Sequence, residues 1–434
     1  MPTPLLDALT ALAGKQNLRL HMPGHKGGAI PGLPPNAAWV DYTELPDTGD
    51  LYRGEGPIAE AERLWADAAG AKDCFFLTGG GTQGVMAALT VCMFASVGAA
   101  ICRPHDIVCS AKNGRRIAAP TTQPPCVILD RRSHISAHRA AALFGARTVP
   151  LDAAEPMGPV TVSDLGRVLS ECSEKPTAVC ITSPTYYGAL SDISSLAALC
   201  DRHGIPLVAD AAHGTHLLFT DRHPAEGAAL TICSAHKTLP ALGQSALLFS
   251  NGLYDPARVR AATALFGSTS PSYLLMASLD AAREYMQNDG RATLAETAAA
   301  VTELRGQMPG LPPHIPADPL RLTIDAAAYG MTGRELADLL VQDHSIACEA
   351  SAGRYVIFLF SPVDGPDAAV RLGAAMTGLG AAAEAPPHTE TQAPGTACLW
   401  TEKKPADILA FLSGMGYTVL DSSPGRITKG GNDP

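Results

Sequence analysis

Short apolar runs separated by amphipathic segments recur along the chain. Cys74–Thr78, the run from Val127 to Leu129, Ala178–Ser183, Ile205–Asp210, Ala228–Ile232 and Gln244–Phe249 are too short for helices and rich in residues that favour strands buried on both faces. Helical spacing fills the intervals. Residues 4–13 form an amphipathic helix. Pro57 suits a first helical position, and Ile58, Ala61, Leu64, Trp65 and Ala68 share one face up to Ala69. Further helices are expected over Val85–Ala95, Leu196–His203 and from after Ser272 to about Gln287. Strands alternating with helices predict an α/β fold with a parallel sheet. A separate group, Leu320–Ile324, a helix near Gly333–Gln342 and Tyr355–Phe360, reads as a small α+β domain. Residues 380–400 turn rich in Ala, Pro and Thr and read as a linker, followed by one helix at about Pro405–Gly414.

Chemistry gathers where the apolar runs end. Ala228–Ile232 leads into Ser234-Ala235-His236-Lys237. Lysine is almost never fully buried without a partner or a task. For Lys237 alone an ordinary strand-end lysine is the commoner outcome. Asp210, closing the run from Ile205, alters that balance. A lysine and a carboxylate at the ends of two parallel strands suit pyridoxal phosphate (PLP), which needs an amine for a Schiff base and an acid for its pyridine nitrogen. His213 can support either that carboxylate or the phenolic oxygen. Gly79-Gly80-Gly81-Thr82-Gln83-Gly84 opens a helix after a strand, and bare amides there bind phosphate. The glycines formally fit a dinucleotide pattern, but no ribose-binding acid follows in a convincing βαβ unit.

Composition narrows the class. The chain has 434 residues, 46% hydrophobic and 17% charged, enough for a large core and two domains. A net charge of −10 argues against nucleic acid and an anionic membrane surface, and is compatible with cationic substrates. The first twenty residues lack the pattern of a signal peptide, and no apolar stretch reaches the ~18 residues of a membrane helix. The 11 cysteines include no CxxC, so free thiols in a cytoplasmic protein are expected. Cys102, His105 and Cys109 offer three metal-type ligands without a clear fourth, and no metal is expected.

Taken together, Asp210-Ala211-Ala212-His213-Gly214-Thr215-His216 and Ser234-Ala235-His236-Lys237-Thr238-Leu239 resemble the Orn/Lys/Arg decarboxylase family. So do His21-Met22-Pro23-Gly24-His25-Lys26-Gly27-Gly28, Ser183-Pro184-Thr185-Tyr186-Tyr187-Gly188 and Thr269-Ser270-Pro271-Ser272-Tyr273. Order and spacing match over roughly residues 18–375. The resemblance implies a PLP-dependent enzyme of fold type I, aspartate aminotransferase-like, with a mostly parallel large-domain sheet and a small C-terminal α+β domain. The implied divisions are an arm (1–45), the PLP-binding domain (46–290), the small domain (291–378) and a linker with tail (379–434). Gly81, Thr82 and Gln83 are the implied phosphate ligands, with Ser234 also on the cofactor. His134 is implied to stack on its ring, and Thr269 and Ser270 to reach the neighbouring subunit's site in a homodimer with shared sites. His25-Lys26 is a rival Schiff-base pair, set aside because no apolar strand precedes it; His25 itself is left with a possible substrate-side role.

The implied reaction is decarboxylation of lysine, arginine or ornithine to a polyamine-type amine, with His236 or Lys237 as the acid that protonates Cα. Four departures stand against the family pattern. Gly81 replaces a Ser or Thr, Ile135 replaces a lysine, residues at about 96–126 form an insertion expected to be mobile surface, and the tail lacks the Tyr-Pro-Pro-Gly-Ile-Pro motif. The last two keep open a PLP-binding protein without catalysis; an aminotransferase or lyase on the same fold is a further reading, since fold alone does not set the reaction.

Overall fold

A computed structural model describes residues 1–15, 17–28, 30, 38–94, 124–312 and 318–380. The expected 96–126 insertion (save 124–126), the linker and the tail lie outside the described residues. All described residues belong to one compact unit.

The strands are β1 (Asp73–Leu77), β2 (Cys126–Asp130), β3 (Arg147–Leu151), β4 (Ala178–Thr182), β5 (Leu207–Asp210), β6 (Leu230–Cys233), β7 (Ala246–Ser250), β8 (Arg321–Asp325), β9 (Ala350–Ala352) and β10 (Tyr355–Leu359). The first seven form one sheet in the order β1-β7-β6-β5-β4-β2-β3. Only β7 runs against its neighbours, so the expectation of a mostly parallel sheet holds. β2, β4, β5, β6 and β7 are buried along their whole length, as the continuous apolar runs require. β8, β10 and β9 make a separate three-stranded antiparallel sheet in that order. Around it lie helices Arg291–Gln307, Gly333–His344 and Gly365–Leu379.

Several elements escaped the sequence pattern. β3 is a sheet edge whose only buried residue is Leu151, so it carries no apolar run. Helix Arg291–Gln307 has alanines scattered on every side and buries only Leu294, Thr297, Val301 and Leu304, which blurs its period. The helix expected over Val85–Ala95 spans Gly80–Met93 instead. The glycine-rich turn is itself the helix's first turn, so its amides open the helix rather than precede it.

The N-terminal helix Pro4–Gly14 buries Leu5, Leu9 and Ala13. Its first amides are held from a distant helix: Leu5 N donates to Asp280 Oδ2 at 3.0 Å. Asp280 is fully buried and also accepts from Arg283 Nη2 at 3.0 Å. No helix among the described residues is long and apolar enough to cross a membrane.

Candidate active site

The parallel strands deliver their carboxyl ends to one edge of the sheet, where α/β proteins build sites. Asp210 closes β5 and is 3% exposed. Its Oδ1 accepts the amide of Ala212 at 3.2 Å. The neighbouring β6 ends at Cys233, Ser234 caps the next turn, and the one-turn helix Ala235–Thr238 carries Lys237. The two residues singled out from the sequence therefore end adjacent strands.

Lys237 is partly buried, and burial draws its amine down from the ordinary lysine range, with Asp210 opposing and Arg321 reinforcing the shift. Asp210 moves the other way: burial raises its carboxyl, and the charge of Lys237 is the main restraint. His213 lies between, with Nε2 3.1 Å from Lys237 Nζ. Burial first, then the nearby cations Lys237 and Arg321, hold this imidazole well below its usual pKa. On its other side, Arg321 Nη2 donates to His213 Nδ1 at 2.8 Å. Arg321 stands at the start of β8, is 2% exposed, and also donates to the Tyr186 carbonyl at 3.1 Å. The Tyr186 ring meets His213 edge-on, centroids 5.5 Å apart.

The glycine-rich turn borders the same cluster. A β-carbon built on Gly81 would fall 2.7 Å from Ser234 Oγ. Ser234 is 1% exposed and its hydroxyl has no hydrogen-bond partner within the protein. The side chain absent at Gly81 thus leaves room for the hydroxyl of Ser234, the residue that follows β6. Thr82 is partly buried in the first helical turn. The Gln83 side chain braces the turn: Oε1 accepts from Gly79 N and Nε2 donates to the Thr263 carbonyl, both at 2.8 Å.

His134 caps the helix Ile135–Leu143, with Nδ1 accepting from the Ser136 amide at 3.2 Å. Desolvation lowers its pKa, Asp210 opposes and Lys237 adds to the shift, which places it within electrostatic reach of both. His236 is tied through Nδ1 to the Ser245 carbonyl at 2.8 Å. Thr269 and Ser270 are exposed on the loop before helix Tyr273–Tyr285. The rival Lys26 is spent on the His21 carbonyl at 2.5 Å. His25 pairs with Asp41 Oδ2 at 3.1 Å.

Lys237 also lines a cavity of about 320 Å³ with Ile346, Cys348, Glu349, Phe358 and Asp364. The Tyr186 hydroxyl reaches Glu349 Oε1 at 3.4 Å. Neither Arg321 nor Glu349 was singled out from the sequence. Arg321 had a signal: a charged residue inside the apolar run Leu320–Ile324 needs a buried partner. Glu349 had none, since only the docking of the small sheet brings it to Lys237.

This donor set fits a phosphorylated pyridine aldehyde. An unpartnered buried hydroxyl and open helix amides suit phosphate, a buried carboxylate suits a protonated ring nitrogen, and a desolvated amine suits a carbonyl carbon. Among the described residues no cluster of His, Cys, Asp or Glu suits a metal ion.

Comparison with known proteins agrees with the motifs. The family described as Orn/Lys/Arg decarboxylase, major domain, matches residues 108–313. Uncharacterized protein YaaO of Bacillus subtilis is 31% identical over 366 residues, covering 78% of this chain and 70% of that protein. Arginine decarboxylase of the same organism is 29% identical over 408 residues, covering 86% and 76%. The solved lysine decarboxylase LdcF of Francisella novicida superposes with a TM-score of 0.67 at 18% identity, covering 87% of this chain and 59% of that one. The architecture is that of the fold type I large domain with its mostly parallel sheet.

Proposed function

This chain belongs to the Orn/Lys/Arg decarboxylase family, and from that premise we propose that it is a PLP-dependent enzyme removing the α-carboxylate of a basic L-amino acid. Arginine is the first candidate substrate, because a curated relative is an arginine decarboxylase; lysine and ornithine follow. The observation that carries the reading is the sharing of one cavity by Lys237 and Glu349. An amine-bearing lysine at one point and a carboxylate at another suit a substrate with an α-amino acid head and a distal cation. The apolar wall given by Ile346 and Phe358 suits the methylenes between.

The cofactor would be held by the amides of Gly81, Thr82 and Gln83, by Ser234, by Asp210 at the pyridine nitrogen, by His213 and by His134 against the ring. When bound, PLP supplies an electron-accepting ring for the pair left on Cα as carbon dioxide departs. The remaining work falls to the chain. Asp210, buried at the end of β5, is the carboxylate placed to favour a proton on the ring nitrogen. Lys237 Nζ, its basicity lowered by burial, can take a proton from the incoming α-ammonium group. The proton taken up by Lys237 Nζ can be returned to Cα from Nζ or by way of His236, whose Nδ1 donates to the Ser245 carbonyl and leaves an Nε2 lone pair able to take that proton first. Glu349 orients the distal cation, itself steadied by Tyr186. Thr269 and Ser270, exposed in this chain, act in a homodimer on the partner's site.

The test is incubation of the protein and PLP with arginine, lysine, ornithine and a panel of other amino acids, following carbon dioxide and amine. Amine from one basic amino acid, lost in Lys237→Ala, is expected. No amine from any of them would overturn the reading.

A further inference from the structure

Donor and acceptor counting around His213 carries one step further. A guanidinium has five N–H donors and no acceptor. Arg321 Nη2, 2.8 Å from His213 Nδ1, can only donate, so Nδ1 carries the ring's lone pair. A neutral imidazole with its lone pair on Nδ1 has its proton on Nε2. That nitrogen lies 3.1 Å from Lys237 Nζ. An Nε2–H facing Nζ needs a lone pair there, which an ammonium group lacks. If Lys237 were an ammonium donating to Nε2, both ring nitrogens would have to accept, which only an imidazolate can do. We propose that Arg321 is a positioning residue: by fixing the tautomer of His213 it makes His213 a donor to Lys237 and holds Lys237 as the free amine. The inference rests on the reading of Lys237 as the nucleophile, and assigns that reading's missing control element.

The surroundings are consistent with this. The groups facing Lys237 are Asp210, Arg321, Glu349, His134 and His213, with His236 next to it in the chain. Burial draws both Lys237 and His213 down from their ordinary ranges, in the direction the hydrogen-bond geometry requires. Arg321 reaches the site from β8 of the small sheet, while His213 and Lys237 come from the large one. The free-base state of the lysine is therefore conditional on the small sheet being docked.

Two measurements on the protein without cofactor test it. The first is nitrogen NMR of ¹⁵N-histidine-labelled protein, with His213 identified by its loss in His213→Gln. The second is the pH midpoint of acetic anhydride labelling at Lys237, read by mass spectrometry. In the wild type, His213 is expected to carry its proton on Nε2. In Arg321→Met the proton moves toward Nδ1 and the Lys237 midpoint rises by a pH unit or more. Arg321→Lys, which keeps a donor and a charge, restores most of both. His213→Leu, which leaves the charge of Arg321 in place, also raises the midpoint. A wild-type His213 protonated on Nδ1 overturns the proposal, even if Arg321→Met does not fold. So does a midpoint unmoved in His213→Leu. Failure of the chain to release amine from any amino acid would sink the decarboxylase reading while leaving these two results standing.

Discussion

Ser234 places its hydroxyl where a side chain at Gly81 would begin, 2.7 Å from the β-carbon position. Restoring the residue more usual in the family, Gly81→Ser, therefore crowds a well-packed spot instead of adding a ligand. Overpacking of this kind costs about 1–3 kcal/mol. Weaker PLP retention, by roughly five- to a hundredfold, is expected in Gly81→Ser, measured by equilibrium dialysis. Gly81→Ser with Ser234→Ala should bind close to wild type. If the single variant binds as tightly as the parent, the two positions are not coupled.

Asp210 is the buried negative charge beside Lys237. Asp210→Asn keeps its shape and removes the charge. Loss of a preorganised electrostatic contact at a reacting centre costs on the order of 10²–10³-fold in kcat. Turnover should fall by that amount with PLP still bound, so absorbance and activity part company. Equal losses of binding and turnover would instead mark Asp210 as a structural support.

Glu349 sits on the exposed side of the cavity, so its effect is expected to be modest in the free protein and larger with a cation against it. Glu349→Gln should raise KM for the preferred basic amino acid by about tenfold, equivalent to ~1.4 kcal/mol. Thermal stability should hardly move, since exposed charges contribute about 0–1 kcal/mol. An unchanged KM for every basic substrate would remove Glu349 from the recognition scheme.

Acid sensitivity follows from His213. Its folded-state pKa lies well below the ordinary 6.5. Below that value the unfolded chain binds a proton that the folded one refuses. Stability therefore rises with pH up to about 6.5 and is lost as the solution is acidified through it, by up to ~1.4 kcal/mol per pH unit for one group. His134 and His223 are shifted the same way and add to the trend. Denaturant midpoints between pH 7 and 5 should fall less steeply in His213→Gln than in the wild type. Parallel curves would mean that His213 takes up its proton without cost in the fold.

Asp280 tests the anchoring of the N-terminal helix. It caps Leu5 and pairs with Arg283, with both side chains fully buried. Asp280→Ala leaves the guanidinium unpaired and should cost about 3–5 kcal/mol in urea unfolding. A loss under 1 kcal/mol would show that Arg283 finds other partners, such as Gln287, whose Oε1 already accepts from Arg283 Nη1 at 2.6 Å.

The parts legible in the sequence were those in which burial and chemistry coincide. Asp210 and Lys237 each follow an uninterrupted apolar run, so the strand and its terminal residue announce one another. The same logic failed where burial was one-sided. β3, with Leu151 alone buried, carries no apolar run, and the alanine-rich helix Arg291–Gln307 had too little contrast to show a face. Glu349 and Arg321 acquire their roles only when the small sheet packs beside the large one. No local pattern encodes that meeting, although an arginine inside an apolar run hinted at it. Gln83 has a second use that no local pattern encodes: its side chain bridges the turn to the Thr263 carbonyl.

That bridge bears on modularity. The Gly79–Gln83 turn looks like a short, portable motif, yet its shape is fixed by an amide that reaches the carbonyl of Thr263, 180 residues later. Cut from this chain and grafted onto another strand and helix, the glycines would travel and the brace would not. The unit of inheritance is the turn together with the helix that carries Thr263, and a transplant should take both.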